Sequence, residues 1–233
     1  VSQLFNLNAF YDRLAPAYAA AMDLAPVWRR YTEAVLPHLP DSGMVLEVGP
    51  GPGLLLARLS ARYPLVAGLD RSSGMLRQAG RRLGRARLPV RLSRGDATLL
   101  PYASGSFDAV AMTFTLSAIP DGLAAVREIT RVLRNPDPDR KQPGGVLVLV
   151  DAGYPGDGNR IGTGLAWLWE LFGDQMRDEA ALMEEAGLEV ITRREFGVGD
   201  SIRLVVGQKR RMMREAYDTG ASSARCGARR ETK

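Results

Sequence analysis

Val45-Leu46-Glu47-Val48-Gly49-Pro50-Gly51-Pro52-Gly53 is the stretch on which the fold turns. Residues 44–48 are a short apolar run, the pattern of a buried strand, and residues 54–63 beyond the loop read as a helix. Glycines at 49, 51 and 53 let the backbone turn tightly and approach a ligand closely. A dinucleotide enzyme would show G-x-G-x-x-G, with the helix N-terminus facing a pyrophosphate. Here the spacing is G-x-G-x-G, and an acid, Glu47, precedes it. A carboxylate beside the loop repels phosphate and suits a ligand carrying an ammonium or sulfonium group.

Outward from this loop, strands and helices alternate. Residues 65–69 form a second strand ending at Asp70, and Ser72 or Ser73 can cap a helix running to about Leu83. Residues 90–93 are a weaker third strand before Gly95-Asp96, and 107–114 are a fourth. Asp121 caps a helix through Leu133, and 145–151 form a fifth, nearly all-apolar strand. A helix near 178–186 stops at Gly187. Strands 188–196 and 201–209 flank the turn Gly197-Val198-Gly199-Asp200, which is short enough only for an antiparallel pair. The expected fold is α/β, a doubly wound Rossmann-like sheet of seven strands, mostly parallel, with one antiparallel strand at the C-terminal end.

Composition narrows the class. The chain has 233 residues, 45% hydrophobic and 24% charged, an ordinary globular mix. One cysteine, Cys226, and one histidine, His38, give neither a disulfide framework nor a multi-histidine metal site. No apolar run approaches the ~18–20 residues that span a bilayer. The first residues lack a basic segment followed by an apolar run, so no secretory signal is expected, and the expected location is cytoplasmic. Residues 209–233 hold eight Lys/Arg against three Asp/Glu, which is the whole net charge of +5. The body is neutral, which speaks against nucleic acid as a partner. Residues 1–209, with two cap helices in 4–39, are read as one domain, and 210–233 as a basic, disordered tail.

Several spaced features resemble the class I S-adenosylmethionine-dependent methyltransferases, over roughly residues 8–208. The E-V-G-P-G-P-G run is similar to the family's first motif, with Glu47, Gly49, Gly51 and Gly53 as cofactor residues. Asp70 stands where the family places an acid on the ribose hydroxyls, followed by Arg71 and, one helical turn on, Met75. Asp96-Ala97 resembles the acid and backbone amide that read adenine, and Ser106-Phe107-Asp108-Ala109-Val110 the fourth-strand signature, with Thr113 at its end. Tyr11-Asp12-Arg13-Leu14-Ala15-Pro16-Ala17-Tyr18 looks like the cap motif of the branch containing quinone and phospholipid methyltransferases, in which Tyr11 and Tyr18 close over the cofactor. The resemblance implies S-adenosyl-L-methionine as cofactor and a small-molecule or lipid-like methyl acceptor.

Each position has a plainer alternative. Asp70 could cap a helix, Asp96 could be a surface-turn acid, Glu47 could pair with a buried base, and the two tyrosines could be packing residues. The segment 161–172, with Trp167, Trp169 and Phe172, reads either as an apolar wall over the acceptor or as a packed helix. Absences matter too: the strand-four exit reads Thr113-Phe114-Thr115-Leu116, not the Pro-Pro motif of nucleobase amine methylation. Ser117-Ala118 stands where many relatives carry histidine, so no catalytic base is named. The alternatives to small-molecule methylation are an RNA methyltransferase using the basic tail and a catalytically silent cofactor-binding module.

Overall fold

The computed structural model describes residues 7–171 and 173–210, with residues 7–11 and 13 as backbone alone. Helices α1 (Leu7–Leu24) and α2 (Pro26–Glu33) precede strand β1 (Met44–Val48). Then follow α3 (Leu54–Arg62), β2 (Leu65–Asp70), α4 (Ser73–Ala86), β3 (Arg91–Arg94), β4 (Ala109–Thr113) and α5 (Gly122–Val132). The chain continues through β5 (Val146–Ala152), α6 (Arg160–Leu171), α7 (Glu179–Glu185), β6 (Leu188–Phe196) and β7 (Ile202–Lys209). Tail residues 211–233, with Cys226, and Phe172 lie outside the described residues.

The seven strands lie in the order β3-β2-β1-β4-β5-β7-β6. Pairings among β1 to β5 are parallel, and β7 is antiparallel to both β5 and β6. The last strand in sequence is therefore not the last in space. It inserts between β5 and β6, leaving β6 at the edge, because a hairpin can hydrogen-bond on its free side to the exposed edge of β5.

Alternation along β1 shows why both faces are covered. Leu46 and Val48 join Val126, Ile129 and Met183 on one face, whereas Val45 packs with Leu55, Leu56 and Leu59 on the other. Helices begin where side chains cap them: Ser72 Oγ accepts from Met75 N at 3.1 Å, and Asp121 Oδ1 from Ala124 N at 2.9 Å. Strand order reverses between β1 and β4, the place in such sheets where a crevice opens at the strand C-termini.

Helix α6 docks elsewhere. Its buried residues are Gly162 and Ala166, and Gly162 lies so close to the β6–β7 turn that a Cβ there would sit 1.8 Å from Gly199 O. Only small side chains fit this contact, so the bulky ones point away: Trp167 is 60% exposed and Leu171 66%. Among the described residues, no helix is long and apolar enough to cross a membrane.

Candidate active site

A cavity of about 340 Å³ opens at the C-terminal ends of β1, β2 and β4, within the range of small-ligand sites. Its floor is the glycine loop. Gly49 N donates to Leu69 O at 2.8 Å, which ties the loop to β2. Thr115 Oγ1 donates to Gly49 O at 3.2 Å, which ties it to the segment after β4. Gly51 has φ +51, and a Cβ added there would meet nothing within 4 Å, so the loop backbone faces open space.

Two carboxylates stand beside that loop. Asp70 accepts from Gly51 N at 3.0 Å and Ser72 N at 2.8 Å; burial outweighs these bonds and pushes its pKa up. Glu47 is 0% exposed, and neither of its carboxylate oxygens has a hydrogen-bond partner. Burial first, and the Asp70 charge second, raise its pKa to about 8. A buried acid paired with a base is thereby excluded for Glu47, and Ser72, not Asp70, caps α4.

The expected adenine-side residues gather at the same cavity. Asp96, Ala97, Arg71 and Met75 all line it. Asp96 Oδ1 accepts from Thr98 N at 2.9 Å and Thr98 Oγ1 at 2.8 Å, bonds that lower its pKa, while Oδ2 faces Arg71 at 3.6 Å. Thr113 also lines the cavity. Gly53 does not; it starts α3 with φ +81 and packs against Ala79.

Helix α1 crosses the opening and brings Tyr18 and Met22 to the cavity, and α2 brings Thr32. Two pins hold α1 to α4. Asp12 Oδ1 accepts from Ser72 Oγ at 2.6 Å and Gly74 N at 2.8 Å, and Arg82 Nη2 donates to Asp23 Oδ1 at 2.7 Å. Position 74 has to be glycine for this approach, since a Cβ would lie 2.6 Å from Asp12 O. Burial, followed by Asp174 and Asp151, pushes the Tyr18 pKa to about 12. The Tyr11 side chain is outside the described residues.

The far end of the cavity is apolar, with Phe114, Ala118, Ile119 and Pro120. Phe114 adopts φ +51, a left-handed conformation costly for a bulky residue. Edge-on contact with Trp28 at 4.9 Å and a tilted contact with Tyr31 at 6.2 Å hold its ring there. Met22, Thr32 and Phe114 are not legible as site residues in the sequence: Met22 and Phe114 lie just past the cap motif and the fourth-strand signature, and Thr32 lies on α2, which carries no motif. None of the described residues of α6 lines this cavity. The wall reading of 161–172 is corrected accordingly, the small-residue contact with Gly199 having drawn the helix away.

Residues 46–137 match the family described as a methyltransferase domain. Over these residues, which run from β1 past α5 and carry most of the cavity lining, the chain resembles the class I S-adenosylmethionine-dependent methyltransferases. A demethylmenaquinone methyltransferase of Lactiplantibacillus plantarum is 32% identical over 162 residues, covering 65% of this chain and 65% of that protein. The chain thus spans less than two thirds of that relative's length. Among solved structures, a cyclase aligns with TM-score 0.72 at 17% identity, over 88% of this chain and 95% of the other. A geranyl diphosphate methyltransferase in complex with S-adenosylmethionine aligns with TM-score 0.65 at 16% identity, over 82% of this chain and 90% of the other. At these identities the structural likeness is one of fold.

Proposed function

We propose that this chain transfers a methyl group from S-adenosylmethionine to a small, largely apolar acceptor of the quinol type. The observation that carries the reading is Glu47: a fully buried carboxylate without a partner, beneath a glycine cradle that opens on empty space. A buried acid left unpaired is costly, and a cationic ligand is what would relieve the cost. A diphosphate would meet the Asp70 carboxylate as a like charge and would leave the burial of Glu47 unrelieved.

The cofactor, when bound, supplies an activated methyl on a sulfonium with a neutral leaving group. The chain's residues do the rest. Glu47 and the backbone of Gly49–Gly51 face its cationic end, Asp70 accepts from the ribose hydroxyls, and Asp96 with Ala97 reads the adenine. Tyr18 and Met22 on α1 cover the cavity and exclude water. The apolar end around Phe114, Ile119 and Pro120 receives the acceptor. The lining carries the acids Glu47, Asp70, Asp96 and Asp121, against Arg71, which faces Asp96. That balance disfavours an acceptor bearing its own carboxylate or phosphate near the reacting atom. Alignment at near-attack distance supplies much of the acceleration, so an acidic hydroxyl or an electron-rich ring carbon needs little help from a base. The relatives named demethylmenaquinone methyltransferases support the quinol class. The domain is read as ending with its last strand, β7, at Lys209.

Titration calorimetry with S-adenosylmethionine, S-adenosylhomocysteine and NAD, followed by methyl transfer to demethylmenaquinol, tests the reading. Binding of the first two ligands together with turnover is expected. Binding of NAD alone would overturn it, and cofactor binding without turnover on any acceptor would make the chain a silent binding module.

A further inference from the structure

The acceptor end of the cavity is formed by a stretch with little regular structure. Between β4 and α5 the chain makes one 3-10 turn, Leu116–Ala118, and then runs through Ile119 and Pro120 to the cap Asp121. Ala118, Ile119, Pro120 and Asp121 line the cavity. Neither the sheet nor a helix ladder fixes where they sit.

A second segment, between α6 and α7, fixes them. Arg177 Nη1 donates to Leu116 O at 2.9 Å, and Nη2 donates to Ile119 O at 2.6 Å and Pro120 O at 2.9 Å. Gln175 N donates to Ser117 O at 2.8 Å. The carbonyls of residues 116, 117, 119 and 120 are thus all taken by residues 175–177. Side chains add to the clasp: Ser117 Oγ lies 2.9 Å from Asp151 Oδ1 and 3.3 Å from Asp174 Oδ1, and Ser117 N donates to Asp151 Oδ2 at 3.0 Å. The clasp is anchored from behind, where the buried Arg203 donates to Arg177 O at 2.7 Å and to Glu179 Oε2 at 2.9 Å. Gly122, at the start of α5, leaves room for the guanidinium; a Cβ there would lie 2.3 Å from Arg177 Nη1.

An arginine that directs its donors to the carbonyls of one loop specifies the conformation of that loop. The cofactor-side residues sit on the glycine loop and at the ends of β2 and β3, held by other bonds. We propose that residues 174–177 form a clasp that positions the acceptor wall, with Arg177 as its positioning residue. The proposal rests on the methyl-transfer reading for what the wall contacts, but the clasp itself can be measured without turnover.

The full-length protein with Arg177→Met, which removes the donors and keeps an apolar stem, is compared with Arg177→Lys. Arg127→Met, which loses only an exposed ion pair with Glu185, is the control. Amide hydrogen exchange is read at 116–121, S-adenosylhomocysteine affinity by calorimetry, and methyl transfer to demethylmenaquinol by single turnover. Arg177→Met should speed exchange at 116–121 by about tenfold or more while the central strands stay protected. S-adenosylhomocysteine affinity should stay within about twofold, and transfer should slow by about a hundredfold, the scale of an ångström-sized misalignment. Arg177→Lys should recover part of both effects, and Arg127→Met should show neither. Unchanged exchange at 116–121 would overturn the clasp. So would exchange rising across the whole sheet with product affinity falling in step, the mark of a purely structural residue. A parent protein that binds no S-adenosylhomocysteine defeats the methyl-transfer reading instead, and exchange at 116–121 still decides the clasp.

Discussion

Glu47 on β1 and Asp70 at the end of β2 present two carboxylates to one cavity from neighbouring parallel strands, and the charge of Asp70 adds to burial in holding Glu47 protonated up to about pH 8. The Asp70 charge disfavours an anionic ligand, and Glu47 ties ligand binding to proton release.

The first expected outcome concerns stability against pH. Glu47 has an unfolded value of 4.5 and a folded value of about 8. Between these the folded state holds a proton that the unfolded state lacks, so stability falls as pH rises through the window. Glu47→Gln removes this dependence. Without ligand, the variant should gain on the parent by an amount that grows from pH 5 to pH 8, on the order of a few kcal/mol at the top. Urea unfolding at several pH values measures it, and parallel curves for the two proteins would refute it.

The same linkage predicts proton release on binding. A cationic cofactor favours the ionised form of Glu47, so binding at pH 7 should expel about one proton. Calorimetry in phosphate and in Tris should give binding heats that differ by the ionisation heats of the buffers. Equal heats would show that Glu47 does not change its protonation.

At the ribose position, Asp70→Ala should weaken S-adenosylhomocysteine by about one to two orders of magnitude, since hydrogen bonds to a charged group are worth about 1.5–3 kcal/mol. Asp96→Ala should lose less, because its carboxylate is half-exposed and already serves Thr98. Affinities equal to the parent's for both variants would displace the proposed adenosine site.

Gly51→Ala separates cradle from scaffold. The left-handed backbone costs an alanine about 1–2 kcal/mol, and the new methyl meets no protein atom within 4 Å. The variant should fold, with a modestly lower melting temperature, and lose most of its cofactor affinity because the methyl occupies the ligand's approach. Retained affinity would show that the ligand does not pass over Gly51.

The two tryptophans of α6 should part company. Trp167 is 60% exposed, so Trp167→Ala should change stability by no more than about 0.5 kcal/mol. Trp169 is half-buried against the core face that holds Leu204 and Val206, and its loss should cost about 2 kcal/mol or more. Cofactor affinity should be unaffected in both variants. Thermal melts and calorimetry on the two proteins provide the check.

The sequence by itself determined the sheet, its parallel core and its antiparallel hairpin, and it singled out Glu47, Asp70 and Asp96. Those features are local: apolar runs, a glycine spacing and acids at strand ends act through neighbours in the chain. The Glu47 alternatives needed tertiary structure, because whether a buried acid has a partner depends on strands that are distant in sequence. The insertion of β7 between β5 and β6 is likewise a choice between free sheet edges that no local pattern encodes. The exile of α6 from the cavity rests on one close contact, Gly162 against Gly199, between segments 37 residues apart. The acceptor wall was the least legible part. Its shape depends on backbone carbonyls, which every residue carries alike, and on an arginine about sixty residues away that reaches them only once the chain has folded.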